Sequence, residues 1–223
     1  MKAVLASIKP QYCCKIATGE KLIEIRKNYP NLSTPFKCYI YCTTGKVLYR
    51  SSYDGNIKIT KNGRDKSLRH HTIFNCKVIG EFICDEITPY FTEFYDEDNV
   101  FQAIYQYADE DKDAQIAVAT NDGVDNGILI DSCLTFDEIK AYIGCDKDKF
   151  YGWHISNLVI YDKPKELREF YIECQMNCEH CEMWGYTRVN ADEFDMDCKS
   201  DWFNHKPLKR PPQSWCYVEE VRK

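Results

Sequence analysis

Several things are scarce in this chain of 223 residues. No apolar run approaches the roughly 20 residues that cross a bilayer, so no transmembrane helix is expected. The run Ala3-Val4-Leu5-Ala6 sits between Lys2 and Lys9 and is too short for the apolar core of an export signal. A soluble, cytoplasmic protein is the expectation, with no membrane partner. Positive charge is not in excess either: the net charge is −6, which argues against broad electrostatic capture of nucleic acid. Residues 174–209 have few core-forming aliphatic side chains, so that segment needs another source of order.

Cysteine, by contrast, is plentiful. There are 13, an odd number, and nine of them (Cys13, Cys14, Cys38, Cys42, Cys76, Cys84, Cys133, Cys145 and Cys216) are scattered through apparent strands and helices. Without an export signal, reduced thiols acting as small apolar residues are expected rather than a disulfide scaffold. The other four cluster: Cys174, Cys178 and Cys181 are followed, after sixteen intervening residues, by Cys198, with His180 and His205 nearby. A tetrahedral Zn2+ site takes four such ligands, and a structural Zn2+ held by Cys174, Cys178, Cys181 and Cys198 would supply the missing order.

Charge is unevenly spread. Over 46–71, Lys46, Arg50, Lys58, Lys61, Arg64, Lys66 and Arg69 face only Asp54 and Asp65. Over 93–113 the sign reverses, with eight acidic residues against Lys112. The basic stretch reads as a hairpin, Val47-Leu48-Tyr49 and Ile57-Lys58-Ile59-Thr60, with turns marked by Asp54-Gly55-Asn56 and Asn62-Gly63. Lys58, Lys61 and Arg64 on it are candidate nucleic-acid contacts. The acidic, aromatic-rich stretch 88–126 reads as a second insertion, with a helix expected around Val100 to Tyr107. It would also suit a basic protein partner.

The chain is organised around its first 27 residues. Ala3 to Ala6 reads as a strand, Pro10 suits the first turn of a helix, and Gly19 suits its left-handed end. Leu22 to Arg26 then alternates as a strand. Successive strand side chains point to opposite faces, so Ile23 and Ile25 turn to the core while Glu24 and Arg26 project together beside Lys21. An amine, a carboxylate and a guanidinium should therefore converge on one solvent-accessible hollow. Further on, Phe36 to Cys42 is a strand by composition. In Lys77 to Cys84, Gly80 marks a bulge or a close backbone approach. Thr135-Phe136-Asp137-Glu138 is a capping box, opening a helix that Gly144 ends. Ile155 to Tyr161 is a strand, and Lys163-Pro164 starts a turn or helix through Phe170.

The order of these residues resembles a known family. Ser7-Ile8-Lys9-Pro10-x-Tyr12, then Lys15-Ile16-x-x-Gly19-Glu20-Lys21-x-x-Glu24-x-Arg26-Lys27, is similar to the opening signature of the ASCH domain, a small β-barrel family of the PUA-like superfamily. Val78-Ile79-Gly80-Glu81-Phe82 resembles its second recognisable strand. The runs Gly152 to Leu158, Tyr161 to Leu167 and Arg210 to Val218 look like the corresponding parts of phage and prophage ASCH proteins. The resemblance implies an α+β fold: a PUA-like mixed β-barrel with flanking short helices, one domain over 1–223, insertions at 46–71 and 88–126, and a cysteine-rich embellishment at 174–209.

It also implies a role. ASCH proteins resemble RNA-binding domains, so an RNA or nucleotide partner is expected in a cleft lined by Lys9, Tyr12, Lys21, Glu24, Arg26 and Trp153. There Arg26 would grip a phosphate or base edge bidentately, a lysine would hold a phosphate oxygen, and Tyr12 or Trp153 would stack a base. Trp153 and Tyr12 each also have a place in the core. A rival reading is enzymatic. Some small ASCH proteins resemble this chain at Gly19, Lys21 and Arg26 and remove the acetyl group from N4-acetylcytidine, which would put Lys21 and Glu24 in catalytic roles. Ribonuclease action by Lys21 is a variant of that reading. Those hydrolases carry a threonine where this chain has Glu24, and Asp131 is the nearest match to their acidic residue. A carboxylate beside Lys21 is expected to raise its pKa and oppose nucleophilic work. A third reading is a protein-interaction module acting on a host factor.

Overall fold

The computed structural model describes residues 2–61, 63, 65–95, 101–107, 115–120, 127–144, 149–172 and 207–220. The opening unit forms as expected: strand β1 (Lys2–Ile8), helix α1 (Pro10–Ala17) and strand β2 (Ile23–Arg26). Pro10 occupies the first turn of α1, and Gly19, just past its end, has φ +77°, a conformation glycine adopts without steric cost. β1 then pairs in parallel with β3 (Phe36–Cys42), α1 and β2 lying in the connection between them.

Two five-stranded sheets carry the fold. The first has the order β12-β7-β3-β1-β13, adding β7 (Lys77–Cys84), β12 (Ser156–Lys165) and β13 (Trp215–Glu219). The second has the order β10-β9-β8-β11-β2, adding β8 (Ile87–Tyr95), β9 (Phe101–Tyr107), β10 (Gln115–Thr120) and β11 (Lys149–His154). Short helices α2 (Gly127–Ser132) and α3 (Phe136–Ile143) flank the second sheet. The class is therefore the expected α+β arrangement of mixed sheets with few short helices. The described ladders form two open sheets rather than one closed ring. The chain passes from the first sheet to the second between β7 and β8, with only Asp85 and Glu86 between them, and back from β11 to β12 through Ile155 alone. Such corner turns make a barrel-like sandwich without a continuous ladder.

Gly80 fulfils both readings: a Cβ there would lie 2.4 Å from the Val159 carbonyl oxygen, and the β3–β7 register shifts beside it. The capping box at Thr135 and Glu138 is formed in both directions. Three readings are corrected. Val100 to Tyr107 contains a strand, β9, hydrogen-bonded to β8 on one side and β10 on the other, with Ala103 and Ile104 both buried. The strand at Ile155 extends to Lys165, and a single 3-10 turn at Leu167–Glu169 follows. Pro164 is tolerated because β12 is the edge of its sheet.

The basic stretch forms β4 (Val47–Arg50), β5 (Ile57–Thr60) and β6 (Thr72–Ile73), a three-stranded sheet in the order β5-β4-β6. It is not a free arm. Leu48 is part of the first core, and Ile57 and Ile59 pack against it. Among the described residues the eight cysteines are all free, and Cys13, Cys38, Cys42 and Cys84 are buried like small apolar residues.

Candidate functional site

β2 decides the geometry of the site. Ile23 and Ile25 join a core with Tyr90, Phe150 and Ile139, while Glu24 and Arg26 lie on the opposite face. That second face is covered too. Trp153 of β11 is the direct cross-strand partner of Glu24, and it is part of the other core, with Phe36 and Ile8. All four β2 residues are consequently buried.

The three ionisable groups converge. Lys21 Nζ lies 3.5 Å from Glu24 Oε2, and Arg26 Nη2 lies 3.0 Å from Glu24 Oε1. They are only 2 %, 7 % and 3 % exposed for Lys21, Glu24 and Arg26, so the expected hollow open to water is instead a nearly buried charge cluster. It holds two cations and one carboxylate. Lys21 Nζ donates to the Ser132 carbonyl at the end of α2 (2.5 Å) and sits 5.4 Å from the centre of the Tyr12 ring. The Tyr12 hydroxyl donates to Glu138 Oε1 (3.4 Å), joining α1 to α3 beside the lysine.

Arg26 is occupied by the protein itself. Its Nη1 donates to the Ser214 carbonyl (3.0 Å) and hydroxyl (3.2 Å), and its Nη2 donates to the Ser7 carbonyl (3.1 Å). The guanidinium lies 5.8 Å from the Trp153 ring centre, a cation–π contact. The bidentate grip on a ligand expected of Arg26 is thus corrected. Its paired donors tie β2 to β1 and to the loop before β13, leaving Nε buried with no partner among the described residues. Trp153 is corrected too. It is 0 % exposed, edge-on to Phe36 (5.9 Å) and tilted against Trp215 (6.0 Å), so its ring has no face for a base. Its indole N–H is likewise buried without a partner among the described residues.

The electrostatics of Lys21 also differ from the expectation. Burial lowers its ammonium pKa from the ordinary 10.5, and the nearby Arg26 adds to that. Glu24 does pull it back up, but desolvation wins. The Tyr12 phenol is raised, chiefly by burial and then by the Glu138 carboxylate. Cys13 and Cys38, with Arg26 and Glu24 in their electrostatic surroundings, are raised by burial and stay neutral thiols.

The other candidates fall outside this cluster. Lys9 is exposed at the N-cap of α1. Lys58, on β5, is exposed but ion-paired with Asp54 (2.5 Å), and Lys61 is exposed just beyond β5. Arg64 lies outside the described residues, as do Cys174, Cys178, Cys181 and Cys198 with His180 and His205. Among the described residues, no group of His, Cys, Asp and Glu is placed to hold a metal. Asp131 meets this region through its carbonyl, which accepts from the Leu22 N–H (2.8 Å). The partners missed from sequence are Ser7, Ser132 and Ser214. Ser7 and Ser214 stood inside the opening and closing motifs, whereas the Ser132 contact is made by a backbone carbonyl and has no side-chain signature.

No family model matches this chain, and neither does any curated protein. Among solved structures it is similar to the crystal structure of ASCH from Zymomonas mobilis, at 12 % identity and TM-score 0.39, covering 74 % of this chain and 73 % of that one. A single-residue mutant of that protein gives 12 % identity and TM-score 0.38, covering 75 % and 77 % of the two chains. A second mutant gives 11 % and 0.43, covering 98 % and 89 %. At this level the likeness says nothing of individual site residues, which stand on their own geometry.

Proposed function

We propose that the Lys21, Glu24 and Arg26 cluster recognises the polar edge of a nucleobase, making this an RNA- or nucleotide-binding protein, as its ASCH-like signature implies. One observation carries the reading: two cations and a carboxylate are brought together where water is almost excluded. Removing each ion from water costs several kcal/mol, and packed apolar residues of the same volume would serve the fold as well. A buried lysine whose pKa is lowered, as that of Lys21 is, belongs to the kind of group that clusters at functional sites.

The roles divide by what each group has left. Arg26 is spent on Ser7, Ser214 and Glu24, so it is a positioning residue. It fixes Oε1 of Glu24 while Lys21 lies 3.5 Å from Oε2, and the lone pairs these cations leave can accept from a base amino or imino N–H. Lys21, held by the Ser132 carbonyl, keeps N–H groups for a base carbonyl or a phosphate oxygen. Half-buried Tyr12 adjoins the lysine and offers a ring edge, and Lys9 lies at the head of the same helix. An adjacent donor and acceptor, Lys21 just before β2 and Glu24 on it, match the mixed pattern of a base edge. Lys58, Lys61 and Arg64 would add attraction at longer range.

Calorimetric titration with the four ribonucleoside 5′-monophosphates tests this. At least one should bind, and Glu24→Gln should weaken it by about tenfold, the loss of one charge-assisted hydrogen bond. Binding by none of the four, or binding indifferent to both Glu24→Gln and Lys21→Met, overturns it.

The lowered Lys21 pKa favours a second reading, hydrolysis of an acylated base such as N4-acetylcytidine. A neutral Lys21 amine would take a proton from water as the oxygen adds to the acetyl carbonyl. The C–N bond then breaks, the base amine regains that proton from Lys21, and acetate leaves. Acetate release from N4-acetylcytidine, lost in Lys21→Ala, would support it; no release by the wild type removes it.

A further inference from the structure

We infer that the outward face of the small sheet β5-β4-β6 is a stacking platform for unpaired nucleic-acid bases, built from Tyr49, Tyr53 and His71. This rests on the nucleic-acid reading above but uses none of the residues of the buried cluster.

The sheet has two unlike faces. Leu48 joins the first core, Ile57 and Ile59 pack against that core, and the Arg50 guanidinium lies 5.6 Å from the Phe74 ring centre, so this face serves the fold. Tyr49 alternates with Leu48 and Arg50 and points the other way, directly across from Lys58. His71 stacks on Tyr49, with ring centres 4.9 Å apart and planes at 17°. Tyr53, in the turn after β4, meets His71 edge-on at 5.4 Å and 84°. The imidazole is held in place: its Nδ1 accepts from the Ser52 N–H (3.1 Å) and lies 3.2 Å from the Ser52 hydroxyl. Those contacts fix the orientation of the ring against Tyr49 and Tyr53. Tyr53 itself is 80 % exposed.

Charge selects the partner. The stretch 46–71 carries seven lysines and arginines against Asp54 and Asp65. Asp54 is committed to Lys58, and Arg50 to Asp162 (2.7 Å), while Lys61, Lys66 and Arg69 of the same segment are exposed. Basic charge alone would attract any polyanion, and aromatic rings alone would suit a protein. Together they fit a strand whose phosphates are free and whose base faces are uncovered. A duplex hides those faces.

Fluorescence anisotropy with a short labelled oligouridylate separates the possibilities. The wild type should bind it, Tyr53→Ala should weaken binding by about tenfold, the loss of one stacked base, and Tyr53→Phe should retain it. The same strand annealed to its complement should bind the wild type and Tyr53→Ala alike. Tyr53 is exposed, so its replacement leaves the fold intact, and nucleoside monophosphate binding at Glu24 should be unchanged. Unaltered oligouridylate binding by Tyr53→Ala, or equal loss in Tyr53→Phe, overturns the platform while sparing the nucleotide site. No oligouridylate binding by the wild type overturns the platform together with the RNA reading.

Discussion

The buried cluster on β2 and the sheet β5-β4-β6 both carry positive charge, and they hold it in opposite ways. At Lys21, Glu24 and Arg26 the charges are out of water, each cation within 3.5 Å of the carboxylate and fixed by serine carbonyls and a hydroxyl. On the small sheet Lys58 and, just beyond it, Lys61 stand in solvent, where a pair such as Lys58 and Asp54 is screened and contributes little to stability. Buried charge is expensive and directional; exposed charge is cheap and long-ranged. The first suits discrimination of one chemical group from another, and the second suits gathering a polyanion regardless of sequence.

That contrast breaks most sharply on removing one buried partner. Glu24→Ala strands two cations without their carboxylate and should destabilise the protein by about 3–5 kcal/mol, read from urea unfolding. Charge reversal at Lys58 and Lys61, both exposed, should instead leave the urea midpoint nearly unchanged. If Glu24→Ala is as mild as the surface changes, the cluster is not the tight assembly described here. Next in size, Lys58→Glu with Lys61→Glu should lower affinity for an oligouridylate by about tenfold at low salt. It should also flatten the dependence on salt, because each lost phosphate contact removes about 0.7 from the logarithmic slope for a single strand. The same pair of changes should not alter binding of a nucleoside monophosphate.

A smaller effect follows from the lowered Lys21 pKa. Its folded value lies below the unfolded one, near 10.5, so between the two the unfolded chain binds more protons and stability contributed by this group rises with pH. The burden of the buried ammonium is fully present below the folded pKa and is relieved as pH climbs toward 10.5. Lys21→Met removes the group. The stability of the wild type relative to that variant should therefore increase between neutral and alkaline pH, and a constant or falling difference would contradict the assignment.

Much of this was legible from the residues in order. Pro10 and Gly19 bracket α1 for reasons of backbone geometry alone, and the alternation from Leu22 to Arg26 put Glu24 and Arg26 on one face. Gly80 signalled the close approach of Val159, and Thr135 with Glu138 signalled the start of α3. What alternation could not reveal was the cover on the far face of β2. A strand with charged residues on one side reads as half-exposed, and only the pairing of β11 brings Trp153 over Glu24 and Arg26. Arg26 looked free for a ligand because the groups that occupy it, Ser7 and Ser214, are 19 and 188 residues away in sequence and act largely through carbonyls. β9 was misread because its apolar residues suit a helix or a doubly buried strand, and only neighbours on both sides decide for the strand.

The most direct test is a pH titration of the Lys21 side chain by NMR, followed through its ε-carbon with and without the four ribonucleoside monophosphates. The account expects a midpoint below 10.5 in the free protein and a resonance displaced by at least one of the four. A midpoint at or above 10.5, with no response to any of them, would contradict a buried cluster made for recognising a base.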